Sequence, residues 1–219
     1  MDVVWEGRWL LLSGTLLTAK VFLGGAVLCL VFSLTAGLAR LSRFVPVRII
    51  AICYIEIFRG TSLVVQLFWL FFVLPFFGLN ISAFQAAVLG LGLCFGAYGA
   101  EIVRSAVSAV PRSQVEAATA LNISSLHCMK NIILPQALLI MLPSLGNLLV
   151  LLLKATAAAS LITLPELTFQ ASTMNVRTFA TVPIFGSVLA IYFALAMFVS
   201  KGVAKIEQRA GHWRRKLPT

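Results

Sequence analysis

Long stretches of this 219-residue chain carry no charge, and that limits its fold more than any motif does. Residues 21–39 hold no Asp, Glu, Lys or Arg over 19 positions, 60–100 none over 41, 131–153 none over 23 and 178–200 none over 23. About 20 apolar residues suffice to cross the hydrocarbon of a bilayer. The run of 41 is too long for one crossing, and Phe77-Gly78-Leu79-Asn80 divides it, because Gly and Asn favour a turn. The pattern predicts an all-α integral membrane protein of about five spans, near 15–39, 58–78, 81–107, 132–153 and 179–201. A very apolar soluble bundle is excluded by the same count. Only 11% of the residues are charged, too few to cover a water-facing surface. Residues 1–9 lack the basic start of a cleavable signal peptide, so the first apolar stretch is expected to remain as helix one.

The net charge of +10 is unevenly spread. Arg40, Arg43 and Arg48 lie between spans one and two, and Arg104, Arg112 and Lys130 between three and four. Lys201, Lys205, Arg209, Arg214, Arg215 and Lys216 follow span five, whereas the alternate connections are poor in cations. The positive-inside rule places the amino terminus outside and the carboxyl terminus in the cytoplasm, as an odd number of spans requires. A basic tail at 209–219, at a membrane exit, reads as an anchor on anionic lipid rather than a nucleic-acid site. Trp5, Trp9 and Trp213 suit the interface. Cys29, Cys53, Cys94 and Cys128 form no Cys-x-x-Cys pair, and His127 and His212 stand alone, so neither a disulfide nor a metal is expected.

Residues 111–135 form the longest polar segment between two spans. Pro111 ends the preceding helix, because its ring cannot continue the hydrogen-bond ladder. Ser113 with Glu116 three places on reads as a capping box opening a helix over 114–121. Asn122 can take the left-handed conformation that ends it. Ser124 or Ser125 then caps a second short helix running toward Pro135. Helices this short are marginal alone in water, so Val115, Ala118, Leu121, Ile123, Leu126 and Met129 need something to pack on. That surface is either the chain's own helix ends or another protein.

Glu116-Ala117-Ala118, then Asn122 after three residues, then Ile132-x-Leu134-Pro135 after nine more, resembles the coupling loop of ATP-binding-cassette importer permeases. Asn122 stands where that family usually has Gly. Tyr54-x-Glu56-x-Phe58-Arg59-Gly60-Thr61, with Gln66-Leu67 beyond, looks like the start of the second core helix in the polar-amino-acid branch. Ala97-Tyr98-x-x-Glu101-Ile102-x-Arg104 and Leu152-Leu153-Lys154-x-Thr156 match two further stretches. The resemblance covers residues 10–208. Leu38-Ala39-Arg40-Leu41-Ser42-Arg43, Arg59-Gly60-Thr61-Ser62, the stretch 67–75, Ala120-Leu121-Asn122 and Leu153-Lys154-Ala155-Thr156 are most similar to permeases of ectoine and hydroxyectoine importers, with Ser62 and Ala155 as traits of that branch.

The resemblance implies a type I importer permease fold in the cytoplasmic membrane. Its coupling residues would be Glu116, Ala117, Ala118, Asn122, Leu134 and Pro135. Its implied partners are a cytoplasmic ATPase dimer, a second permease subunit, an external solute-binding protein and membrane lipid. The chain has no Gly-x-x-x-x-Gly-Lys-Ser/Thr phosphate loop, so it is expected to bind no cofactor and to draw on ATP hydrolysed by a partner. Glu56, Arg59, Thr61, Gln66, Glu101, Lys154 and Thr156 are candidates for the solute path. Glu56 with Arg59, and Glu101 with Arg104, are spaced to pair on one helix face, for gating or merely for structure. Lys154 could meet a substrate carboxylate or snorkel to the surface. An ion-driven secondary transporter or channel, and a scaffold without transport, are the rival readings.

Overall fold

The computed structural model describes residues 2–214, with side chains over 4–209. After a helical turn at Asp2–Glu6 the elements are α1 (Arg8–Arg40), α2 (Val45–Gly60), α3 (Leu63–Phe77), α4 (Ala83–Ser108), α5 (Arg112–Ala120), α6 (Ser125–Ile162), α7 (Leu167–Thr178) and α8 (Thr181–Arg214). Four of these helices, α1, α4, α6 and α8, are long and apolar enough to cross a membrane. The pair α2 and α3 meets the same criterion only when taken together, as a broken span or a re-entrant loop bent by 105°. The basic residues after span five continue α8 as far as Arg214, while Arg215 and Lys216 lie outside the described residues.

In lipid the hydrophobic effect does not draw helices together, so close packing of small residues must. The most extensive contact, α1 on α4, is built this way. Gly37 on α1 faces Ala100 and Val103 on α4, and Gly96 and Gly99 on α4 lie against Phe32 and Ser33 on α1. A Cβ on Gly37 would sit 2.8 Å from the Ala100 carbonyl oxygen and 2.7 Å from Val103 Cβ. Gly37→Val is therefore expected to cost about 1–3 kcal/mol by overpacking. A thermal unfolding scan of the solubilised protein should show a lower midpoint for it.

Span two differs from the expected 58–78. Helix α2 begins at Val45, and Tyr54 to Arg59 close it rather than open the next one. Thr61 is extended at the break. Irregular backbone at membrane depth must be satisfied internally. Gln66 does this, its amide donating to the Phe58 carbonyl at 2.9 Å and to the Thr61 hydroxyl at 2.8 Å. The turn expected at 77–80 is present, with Gly78 in the left-handed region at φ 81°. Ser82 and Gln85 then form a capping box that opens α4.

Span four also differs. No separate second short helix runs to Pro135. Its residues are the first turns of α6, 38 residues long. Pro135 lacks an N–H and clashes with the preceding turn. The helix passes it by widening into a π turn at Met129–Ile133.

Candidate functional site

The polar segment folds as a corner between α4 and α6. Helix α4 stops at Ser108, and Pro111 is the N-cap of α5. The expected Ser113–Glu116 capping box does not form. Helix α5 starts earlier, at Arg112, because the extended Pro111 presents its carbonyl to the Gln114 N–H at 3.1 Å. The far end of α5 is as expected. Asn122 adopts φ 55°, the Ile123 N–H donates to the Ala118 carbonyl at 2.9 Å, and the Asn122 N–H donates to Thr119 at 2.9 Å. These two bonds make a Schellman stop, for which Asn is the usual alternative to Gly. Ser124 then caps α6, accepting from the His127 N–H at 3.4 Å.

The two faces of the corner separate cleanly. Ala118, 3% exposed, joins Val107, Val110, Cys128 and Ile133 in the largest buried cluster, with Ile123 and Met129 packed on it. That face fixes the corner to the ends of α4 and α6. Val115, Leu121 and Leu126 point away, 42%, 75% and 80% exposed. Glu116 and Ala117 share this outer side, and Glu116 makes no ion pair among the described residues. Leu134 is half-buried and Pro135 exposed, both on the first part of α6. Of the side chains expected to need packing, Ala118, Ile123 and Met129 lean on the chain itself, whereas Val115, Leu121 and Leu126 are not covered by it.

The path candidates fall into separate groups. Thr61 and Gln66 meet at the α2–α3 break. Glu101 bridges Arg40 on α1 and Arg104 on its own helix, the latter at 3.1 Å. A cavity of about 370 Å³ opens beside this triad, between Ser105 on α4 and Met141 and Ser144 on α6. Glu56 and Arg59 do not pair among the described residues, because Arg59 lies over the Tyr98 ring, 5.5 Å from its centroid. Lys154 is exposed. Thr156 is buried and donates its hydroxyl to the Leu153 carbonyl at 2.6 Å. The part of Arg40 in the triad is not visible in sequence, since 61 positions separate it from Glu101.

Known proteins carry the same architecture. The chain is 44% identical over 215 residues to the probable amino-acid ABC transporter permease protein y4tF of Sinorhizobium fredii, covering 95% of this chain and 87% of the relative. It is 34% identical over 210 residues to the glutamine transport system permease protein GlnP of Escherichia coli, covering 95% and 96%. Its fold matches an amino acid ABC transporter crystallised with histidines at a TM-score of 0.87 and 34% identity, over 95% of this chain and 99% of that one. The MetNI methionine ABC transporter shares the fold at a TM-score of 0.74 and 18% identity, over 93% and 97%. Residues 29–210 match the family of binding-protein-dependent transport system inner membrane components, and the chain belongs to it: it is an inner-membrane permease subunit of an ABC importer, not an enzyme, and a separate subunit hydrolyses the ATP that drives it.

Proposed function

We propose that this permease imports a small zwitterion, a polar amino acid or the amino-acid derivatives ectoine and hydroxyectoine, and that the corner at 112–124 is where its ATPase docks. One observation carries the docking reading: a rigid, inwardly packed corner holds Val115, Leu121 and Leu126 outward beside the unpaired Glu116. A loop with no partner has no reason to spend that packing on displaying apolar side chains. Arg112 and Lys130 near the corner support its cytoplasmic placement, with the amino terminus outside. The permease unit is residues 10–208, and 209–219 is a basic cytoplasmic tail. Two such subunits, identical or related, enclose the path, and each docks one ATPase of a pair. An external binding protein delivers the solute. Among the path candidates, Thr61 with Gln66 and Glu101 with its arginines have the best support, because each is a polar group held at a helix break or beside a cavity. Glu56, Arg59, Lys154 and Thr156 have less.

The amino-acid assignment is supported by the names of the relatives, and ectoine by Ser62, Ala155 and the other residues quoted above. Vesicles holding this chain with its ATPase, partner permease and binding protein should accumulate the labelled solute only with ATP inside. Binding of labelled ectoine to the binding protein, undisplaced by polar amino acids, is the result expected for an ectoine importer. Binding of an amino acid alone removes ectoine. Uptake that survives ATP depletion under an intact ion gradient would instead favour a secondary transporter.

A further inference from the structure

A buried carboxylate lies at the other end of α6, outside everything assigned so far. Helix α6 ends at Ile162, and the chain reverses within four residues, with Thr163 at φ 62°. Glu166 follows, 0% exposed. Its Oε1 accepts from the Phe169 N–H at 2.9 Å, capping α7. Its Oε2 accepts from the Thr18 hydroxyl of α1 at 3.3 Å and from the Tyr192 hydroxyl of α8 at 3.0 Å. The Thr18 hydroxyl also accepts from the Leu167 N–H at 3.2 Å. Beside it the backbones touch, for a Cβ on Gly14 would lie 2.9 Å from Leu167 Cα. One side chain thus ties three helices. Burial raises the Glu166 carboxyl above its ordinary range, and the Phe169 and Tyr192 hydrogen bonds oppose that. Buried carboxylates are costly, and a neutral cap would serve α7 alone as well. The bonds to α1 and α8 are what a carboxylate adds.

Helix α6 joins this knot to the corner. It runs 38 residues from Ser125, through the π turn at Met129–Ile133 and into a final 3-10 stretch at Thr156–Ile162, about 57 Å of rod. It links the corner directly to the Thr163–Pro165 turn. We propose that Glu166 is a positioning residue for transport: through Thr18 and Tyr192 it fixes the start of α7 to α1 and α8, so that α6 moves against this group instead of dragging α7 along. The proposal rests on the reading of the corner as the ATPase contact.

The test uses the complete transporter in vesicles and measures solute uptake and ATP hydrolysis together. Glu166→Ala should lower the solute moved per ATP by about tenfold or more, with hydrolysis within about twofold of wild type. Glu166→Gln keeps an acceptor for Phe169 and polar atoms for Thr18 and Tyr192, and should restore most of that ratio. Tyr192→Phe, which leaves the α7 cap intact, should lower it about threefold. An unchanged ratio in Glu166→Ala overturns the proposal, as does a proportional loss of uptake and hydrolysis in both variants. If Glu166→Ala does not assemble, Tyr192→Phe decides alone, and an unchanged ratio sinks the idea. A wrong reading of the corner would show differently, as normal uptake in Glu116→Lys.

Discussion

Glu116→Lys is expected to reduce ATP-driven uptake by about thirtyfold or more while leaving the amount of inserted protein unchanged. Glu116 is exposed on the outer side of α5. Glu and Lys are similar helix formers, so α5 should persist. On its own helix the new lysine would lie one turn from Arg112, a repulsion of a few tenths of a kcal/mol. At a docked interface the cost is larger, because a charge of the wrong sign in a desolvated contact weakens binding by about 2–5 kcal/mol. Each 1.4 kcal/mol is about a factor of ten. Uptake into vesicles, normalised to permease content by immunoblot, measures the effect. Wild-type uptake by Glu116→Lys would mean that α5 does not transmit ATP turnover.

The second large effect is expected at the corner itself. Asn122→Val places a β-branched residue at φ 55°, where such residues are rare outliers. The left-handed conformation costs L-residues about 1–2 kcal/mol, more when branched. The change would also strain the two hydrogen bonds that end α5, and with them the angle at which Leu121 and Leu126 are presented. Uptake should fall about tenfold or more. Asn122→Gly relieves the backbone and should transport as well as wild type, so the pair separates geometry from side-chain chemistry. Equal uptake by the Val and wild-type proteins would show that the corner angle does not matter. A Gly variant as impaired as Val would assign the role to the Asn amide.

What could be read in the sequence was mostly local. Asn122, Ser124 and Gly78 each act within a few residues, through a left-handed turn or a cap, and the structure has all three where the spacing puts them. The apolar runs likewise locate α1, α4, α6 and α8, because lipid imposes its length requirement on each helix separately. Where two local signals compete, reading fails. Ser113 and Glu116 have the capping-box spacing, but Pro111 starts the helix before they can act. The charges at Arg48, Glu56 and Arg59 put the expected start of span two at 58, although α2 is helical from Val45 to Gly60 with only Ala51 and Ile55 buried. Partners across the chain left no trace at all. Arg40 with Glu101, and Thr18 with Glu166 and Tyr192, are brought together only by helix packing.

The π turn ahead of Pro135 has a bearing on how chains of this kind can differ in length. The buried positions of α6 run Cys128, Ile133, Ala137, Met141 and Leu145, a step of five followed by steps of four. The widened turn absorbs the extra residue, so the inward stripe stays on one side of the rod despite the broken count. One residue lost within 129–133 would merely restore ordinary winding. The same loss between Ala137 and Leu152 would swing everything beyond it by about 100° and turn the stripe toward lipid.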